Sequence, residues 1–191
     1  MTDKNLSLKV ADISKKSKDY LGLDEEAVSN LKEVYSILKD SFPEIINAVL
    51  SVLTKNEDAL KVISETGLEA EKAVKLLDKW LNLAFSSKYE EDMSEEVFKI
   101  GYAHVRAGVP QYLMPLTMGA FLVETLKKLF EKIDDKEKLL KAVLAVSKAY
   151  FWNITIMLES YKEERINSFL EVTGMSRELF ERMSRMRARK K

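Results

Sequence analysis

The chain has 191 residues and a formal net charge of zero, with 31 Lys/Arg against 31 Asp/Glu, which suits one domain with a small appendage and gives nucleic acid or an anionic membrane no global electrostatic handle. It has no cysteine, which excludes disulfides, thiolate nucleophiles and cysteine-ligated metal. The polar start MTDKNLSLKVADISKK lacks a signal-peptide apolar stretch, and no apolar run approaches the roughly 20 residues of a membrane span, so the expectation is a cytoplasmic protein in contact with neither membrane nor nucleic acid.

Helical periodicity dominates the sequence, and Gly and Pro are few. Leu6, Leu8, Val10 and Ile13 predict a short N-terminal helix. Asp24 reads as the N-cap of a helix carrying Val28, Leu31, Val34, Tyr35 and Leu38. Pro43 suits the first turn of the next helix, which runs to about Leu53. A short helix around Ala59 to Ile63 ends at Gly67. From Leu68 to Phe85 the residues Ala73, Leu76, Leu77, Trp80, Leu81 and Ala84 form one broad apolar face. The next helix spans Glu95 to about Ala107 and is closed by Gly108 and Pro110. Two long helices follow, about Gln111 to Lys132 and Lys136 to about Glu164, separated by Asp134-Asp135. After a turn at Gly174, Ser176 to Arg189 reads as a strongly basic helix. The reading is thus an all-α protein whose unequal helices fit a globin-like layer better than a regular four-helix bundle. Abundant Lys and Glu with a single Gln resembles thermophile composition.

His104 is the only histidine. It shares a helical stripe with Val97, Ile100 and Gly101, and an imidazole there needs a partner for each ring nitrogen. A metal is one such partner, with the other nitrogen donating to a carbonyl one turn earlier. The small residues Gly101, Ala103, Ala107 and Gly108 on that helix suit the approach of a flat ligand or close helix packing.

The run Lys99-Ile100-Gly101-Tyr102-Ala103-His104-Val105-Arg106-Ala107-Gly108-Val109-Pro110 resembles the proximal signature of the globin-coupled sensor and protoglobin family. Met118-Gly119-Ala120-Phe121, the stretch Lys18 to Glu26 with Leu31, Leu77 to Phe85 with Lys88-Tyr89, and Leu158-Glu159-Ser160-Tyr161 fit the same family in order, over roughly residues 15 to 162. The resemblance implies a globin-like fold with an extra N-terminal helix and two long C-terminal core helices. It implies haem b held by His104 and a diatomic gas ligand (O2, CO or NO). Phe98, Ile100, Val109, Leu113 and Met114 would pack on the proximal side, and Val49, Leu50, Ala73, Leu76 and Leu77 on the distal side. The family's distal aromatic-Tyr pair maps to Val49-Leu50, its second polar distal residue to Leu76, and the aromatic pair after the histidine to Leu113-Met114. All are apolar here, so the hydroxyl donor that holds a polarised gas ligand is absent, at a cost of about 1–3 kcal/mol for O2 retention.

The resemblance also implies a homodimer through the two long helices after Pro110, with Met118, Leu122, Leu126, Phe130, Val143, Val146, Tyr150, Ile154 and Met157 as the apolar surplus. Residues 1–165 would form the sensor globin and 166–191 a basic helical extension or a linker to an output domain. The basic end reads as a solvated helix end, a linker, or a contact for an acidic partner. No Gly-rich phosphate loop or His/carboxylate cluster suggests an enzyme. Two rivals stand beside the gas sensor: a haem-free interaction domain in a stress-signalling complex, and a haem enzyme acting on NO or peroxide, which the lack of distal acid-base residues disfavours.

Overall fold

The computed structural model describes residues 3 to 188, with side chains from 7 to 186; the Leu6 side chain and the basic side chains from Arg187 onward lie outside the described residues. Among the described residues there are nine α-helices, one 3-10 turn (Lys39–Ser41) and no strand. The helices are α1 (Asp3–Leu21), α2 (Glu25–Leu38), α3 (Phe42–Leu53), α4 (Glu57–Thr66), α5 (Ala70–Ser86), α6 (Glu91–Arg106), α7 (Leu113–Lys132), α8 (Lys136–Thr173) and α9 (Arg177–Ala188).

Local chemistry sets most of these boundaries. Asp24 accepts the Ala27 N–H at 2.9 Å, Asn56 the Ala59 N–H at 3.0 Å and Asp135 the Lys138 N–H at 2.7 Å, each satisfying an orphan donor at a helix start. The Ala27 N–H also holds the Asp24 carboxyl below the usual carboxylate range. Gly67 and Gly174 end α4 and α8 at φ of 61° and 65°, backbone that glycine adopts without steric penalty.

Three elements differ from the sequence reading. α1 is a full 19 residues rather than a short helix. α6 starts at Glu91, ahead of the expected Glu95, because Met93 and Ser94 are already buried against the core. α8 continues to Thr173, beyond the expected end near Glu164. No Gly or Pro interrupts it before Gly174, so nothing stops the helix across residues 165 and 166.

α8 is the central helix, with α6, α2, α7 and α1 packed on it, while α3 bridges α5 and α7. Its composition would allow it to span a membrane, but half of its most apolar stretch is buried inside the protein. Two polar pairs in the core satisfy each other, as burial favours: Trp80 Nε1 donates to Asn153 Oδ1 at 3.1 Å, and the Thr125 and Tyr150 hydroxyls lie 2.7 Å apart. At the corner between α5 and α6, Tyr89 adopts φ 60°, a costly conformation for a residue with a side chain. It is held by its hydroxyl, which donates to the Ala84 carbonyl at 2.6 Å, and by its ring, 4.9 Å from that of Trp152.

Packing on α8 also corrects the expected dimer residues. Met118, Val146, Tyr150, Ile154 and Met157 are buried within the chain's own core, and Leu122, Leu126 and Val143 pack partly against it. Of the expected set only Phe130 is largely exposed; the apolar side chains facing outward include Leu116, Val123 and Phe130 on α7 and Leu140, Leu144 and Phe151 in the first half of α8.

Candidate functional site

Of the residues singled out above, His104 has the most constrained chemistry, and α6 places it. One side of α6 is locked onto α8. An added Cβ at Gly101 would lie 2.5 Å from Ser160 Oγ, 2.6 Å from the Met157 carbonyl oxygen and 2.8 Å from Met157 Cα, so this glycine serves close helix packing rather than access for a ligand. Next to it the Tyr102 hydroxyl donates to Glu164 Oε2 at 2.6 Å. That hydrogen bond holds the Tyr102 phenol above its ordinary range. The Arg106 guanidinium covers the Tyr102 ring at 4.8 Å, a cation–π contact.

The end of α6 is fixed as firmly. Gly108 takes φ 76°, which turns the chain so that the Val109 N–H donates to the His104 carbonyl at 3.0 Å. The Tyr161 hydroxyl of α8 donates to the Val109 carbonyl at 3.1 Å. Burial pushes the Tyr161 phenol up to about 12.

The His104 ring is half-buried. Its Nδ1 lies 2.8 Å from the Ile100 carbonyl oxygen. A carbonyl only accepts, so Nδ1 carries the proton, and Nε2 is left with a lone pair free to bind an electrophile or metal. The same hydrogen bond orients the ring. Among the described residues there is no cluster of three or more His, Asp or Glu that could hold a metal ion.

The expected site residues fall on two assemblies. Phe98, Ile100 and His104 lie on α6 and Val109 in the turn after it. Val49 and Leu50 lie on α3, Ala73, Leu76 and Leu77 on α5, and Leu113 and Met114 at the start of α7. α3 packs on both α5 and α7, while α6 packs on α8 and α1 and shares almost no backbone contact with α5. Val49, Phe98, Leu113 and Met114 are buried; Leu50, Ala73, Leu77, Ile100 and Val109 are half-buried; Leu76 is 53 % exposed. On α5 and α6 the protein's own packing leaves Leu76 exposed and Ala73, Leu77 and Ile100 half-buried, apolar surface of the kind a flat apolar group would cover. The polar side chains close in sequence to the expected distal residues have other partners: Lys75 pairs with Glu71, Thr54 is exposed and bonds the Ser51 carbonyl, and Trp80 donates to Asn153. Sequence reasoning did not single out Tyr102, Arg106, Tyr161 and Glu164 as the braces of α6. Tyr102 and Arg106 flank His104 in the quoted run and contact each other, but the braces Tyr161–Val109 and Tyr102–Glu164 join residues 52 and 62 positions apart.

Comparison with known proteins bears on this geometry. The protoglobin family model matches residues 11–167. The fold is similar to the globin domain of the Geobacter sulfurreducens globin-coupled sensor, with TM-score 0.72 and 21% identity over 77% of this chain and 96% of that one. It is also similar to the globin domain of E. coli DosC in its ferric form, with TM-score 0.58 and 11% identity over 74% of this chain and 96% of that one. No curated protein matches at a significant level.

Proposed function

Because the chain belongs to the protoglobin family, we propose that it is a haem-binding globin that senses or carries a diatomic gas, with His104 Nε2 as the protein ligand to the iron. Bound haem b supplies an iron with a coordination position for O2, CO or NO. The observation that carries the reading is the 2.8 Å contact of His104 Nδ1 with the Ile100 carbonyl, which fixes the tautomer that leaves Nε2 able to bind metal. Phe98, Ile100, Val109, Leu113 and Met114 form the apolar surroundings on the histidine side. Val49, Leu50, Ala73, Leu76 and Leu77 form a wall without a hydroxyl on the other. That wall excludes water and offers no hydrogen bond to a polarised ligand, so CO and NO are favoured relative to O2. Gas binding is the activity, rather than turnover.

The α6 braces give a path for a signal: movement of His104 is carried by Gly101 and Tyr102 into α8. Residues 1–165 form the sensor unit of a cytoplasmic protein. The last turns of α8 and α9 form the extension, 166–191. The exposed Leu116, Val123 and Phe130 on α7 with Leu140, Leu144 and Phe151 on α8 are the surface through which two copies pair about a two-fold axis. The test is the ultraviolet–visible spectrum of purified protein titrated with haemin, ferric and ferrous, with and without CO and O2. Stoichiometric appearance of a Soret band that His104→Ala abolishes or shifts supports the reading; a protein that stays colourless at full helicity refutes it and leaves a haem-free interaction domain.

A further inference from the structure

The zero net charge of the chain conceals a segregation. Residues 177–191 hold seven Lys/Arg against two Glu, so this end is strongly basic and the other 176 residues carry an equal excess of acid. The charge is borne in part on α9, which is anchored rather than loose. The Arg177 guanidinium forms an ion pair with the buried Glu163 at 3.0 Å and donates to Asn167 Oδ1 at 2.6 Å. Glu163 is shared with Lys9 of α1. The Phe180 ring lies 5.7 Å from that of Phe169. These contacts fold α9 back along the end of α8 and occupy one side of it.

Another side carries a row of apolar residues. Leu179, Met183 and Met186 stand at steps of four and three residues, a single ridge on a helix, and are 37 %, 51 % and 58 % exposed. Arg182 and Arg185 are exposed on the same helix; Arg185 donates to the Glu181 carbonyl at 3.3 Å and pairs loosely with its carboxylate at 3.7 Å, exposed contacts that in water hold little. Val172, beside the Gly174 turn, is also exposed.

We infer that α9 is a peripheral membrane-docking helix that lays its Leu179–Met183–Met186 ridge on a bilayer containing anionic lipid. Basic residues beside an apolar ridge on a helix of low overall hydrophobicity are the pattern of an interfacial helix, with charge attracting the lipid headgroups and the ridge entering the acyl boundary. A phosphate backbone has no counterpart for the ridge, which argues against nucleic acid. α8 already occupies one side of α9, so what remains free is a single face, which suits a flat surface. A second copy would bring equal positive charges together. The acidic body repels the same surface, so contact is confined to the α9 end. The inference stands independently of haem, since α9 lies outside the family match at residues 11–167.

Flotation of the full chain with phosphatidylcholine vesicles, with and without phosphatidylserine, tests it. Binding is expected only with phosphatidylserine and declines as salt rises. Arg182→Glu with Arg185→Glu should weaken it about tenfold or more. Leu179→Ser with Met183→Ser and Met186→Ser should weaken it comparably at unchanged charge, and circular dichroism should show both variants as helical as the parent. No binding to phosphatidylserine vesicles, or equal binding by the variants, overturns the inference. Tighter binding to polyglutamate or duplex DNA than to vesicles also overturns it, and assigns α9 to an acidic protein or to nucleic acid.

Discussion

Replacing Gly101 by alanine tests how His104 is positioned. The new Cβ would meet Ser160 Oγ at 2.5 Å, the Met157 carbonyl oxygen at 2.6 Å and Met157 Cα at 2.8 Å. Two of these atoms are backbone in the middle of α8, so they cannot move aside by changing a rotamer. Overpacking of this kind costs about 1–3 kcal/mol or more, and unyielding neighbours place it near the upper end. Alanine recovers about 1 kcal/mol of helix propensity over glycine. The net expected loss is about 2 kcal/mol, or roughly 4–8 °C in Tm for a chain of this size. Gly119→Ala is the control. It lies inside α7 with nothing within 4 Å of an added Cβ, so only the propensity gain of about 0.5–1 kcal/mol should appear. Urea unfolding of the two variants and the parent measures both signs at once. A Gly101→Ala protein as stable as Gly119→Ala would refute the claim that the α6–α8 approach holds His104 in place.

Three further outcomes follow from the same structure. Leu50→Tyr introduces a hydroxyl on the wall that lacks one; in the haem-loaded protein O2 release should slow about tenfold with little change in CO binding, and stopped-flow rates that move equally for both gases would contradict the apolar-wall account. Phe130→Glu with Phe151→Glu, both on exposed positions, should convert a dimer to a monomer of unchanged stability by analytical ultracentrifugation, and a parent that sediments as a monomer would remove the proposed interface. Burial raises the phenols of Tyr89, Tyr150 and Tyr161 above the ordinary value of 10.0, so the folded state keeps protons that the unfolded chain releases. Stability should therefore be intact below about pH 10 and fall above it, by about 1.4 kcal/mol per pH unit for each phenol still protonated in the folded state; Tyr161→Phe should make the decline in urea stability shallower, and a pH-independent midpoint across that window would contradict the burial of these rings.

Helix type and order were legible because apolar residues recur at helical spacing and the stops are glycines with positive φ or acidic N-caps. The end of α8 was not, since a helix proceeds until something breaks it, and the first breaker after Lys136 is Gly174. The outward row of α7 and α8 was misread for a related reason. Both helices are apolar on more than one side, and α8 is covered by α6, α2, α7 and α1, so periodicity alone does not say which row lies inside. At the candidate site, the partner of His104 Nδ1 was readable because the carbonyl one turn earlier is set by helix geometry. The buried pair Trp80–Asn153 and the braces Tyr102–Glu164 and Tyr161–Val109 depend on how α5, α6 and α8 meet, which local sequence does not encode. The basic end was legible as a local run from Ser176 to Arg189, which the total charge of zero hides.

The central claim is that His104 binds the iron of a haem. Haemin titration of the parent and of His104→Ala, followed at the Soret band in the ferrous state before and after CO, tests it most directly. The parent should saturate at one haem per chain, and His104→Ala should lose tight binding, with added imidazole restoring the parent's spectrum. No Soret band in the parent, or an unchanged band and affinity in His104→Ala, would contradict the account.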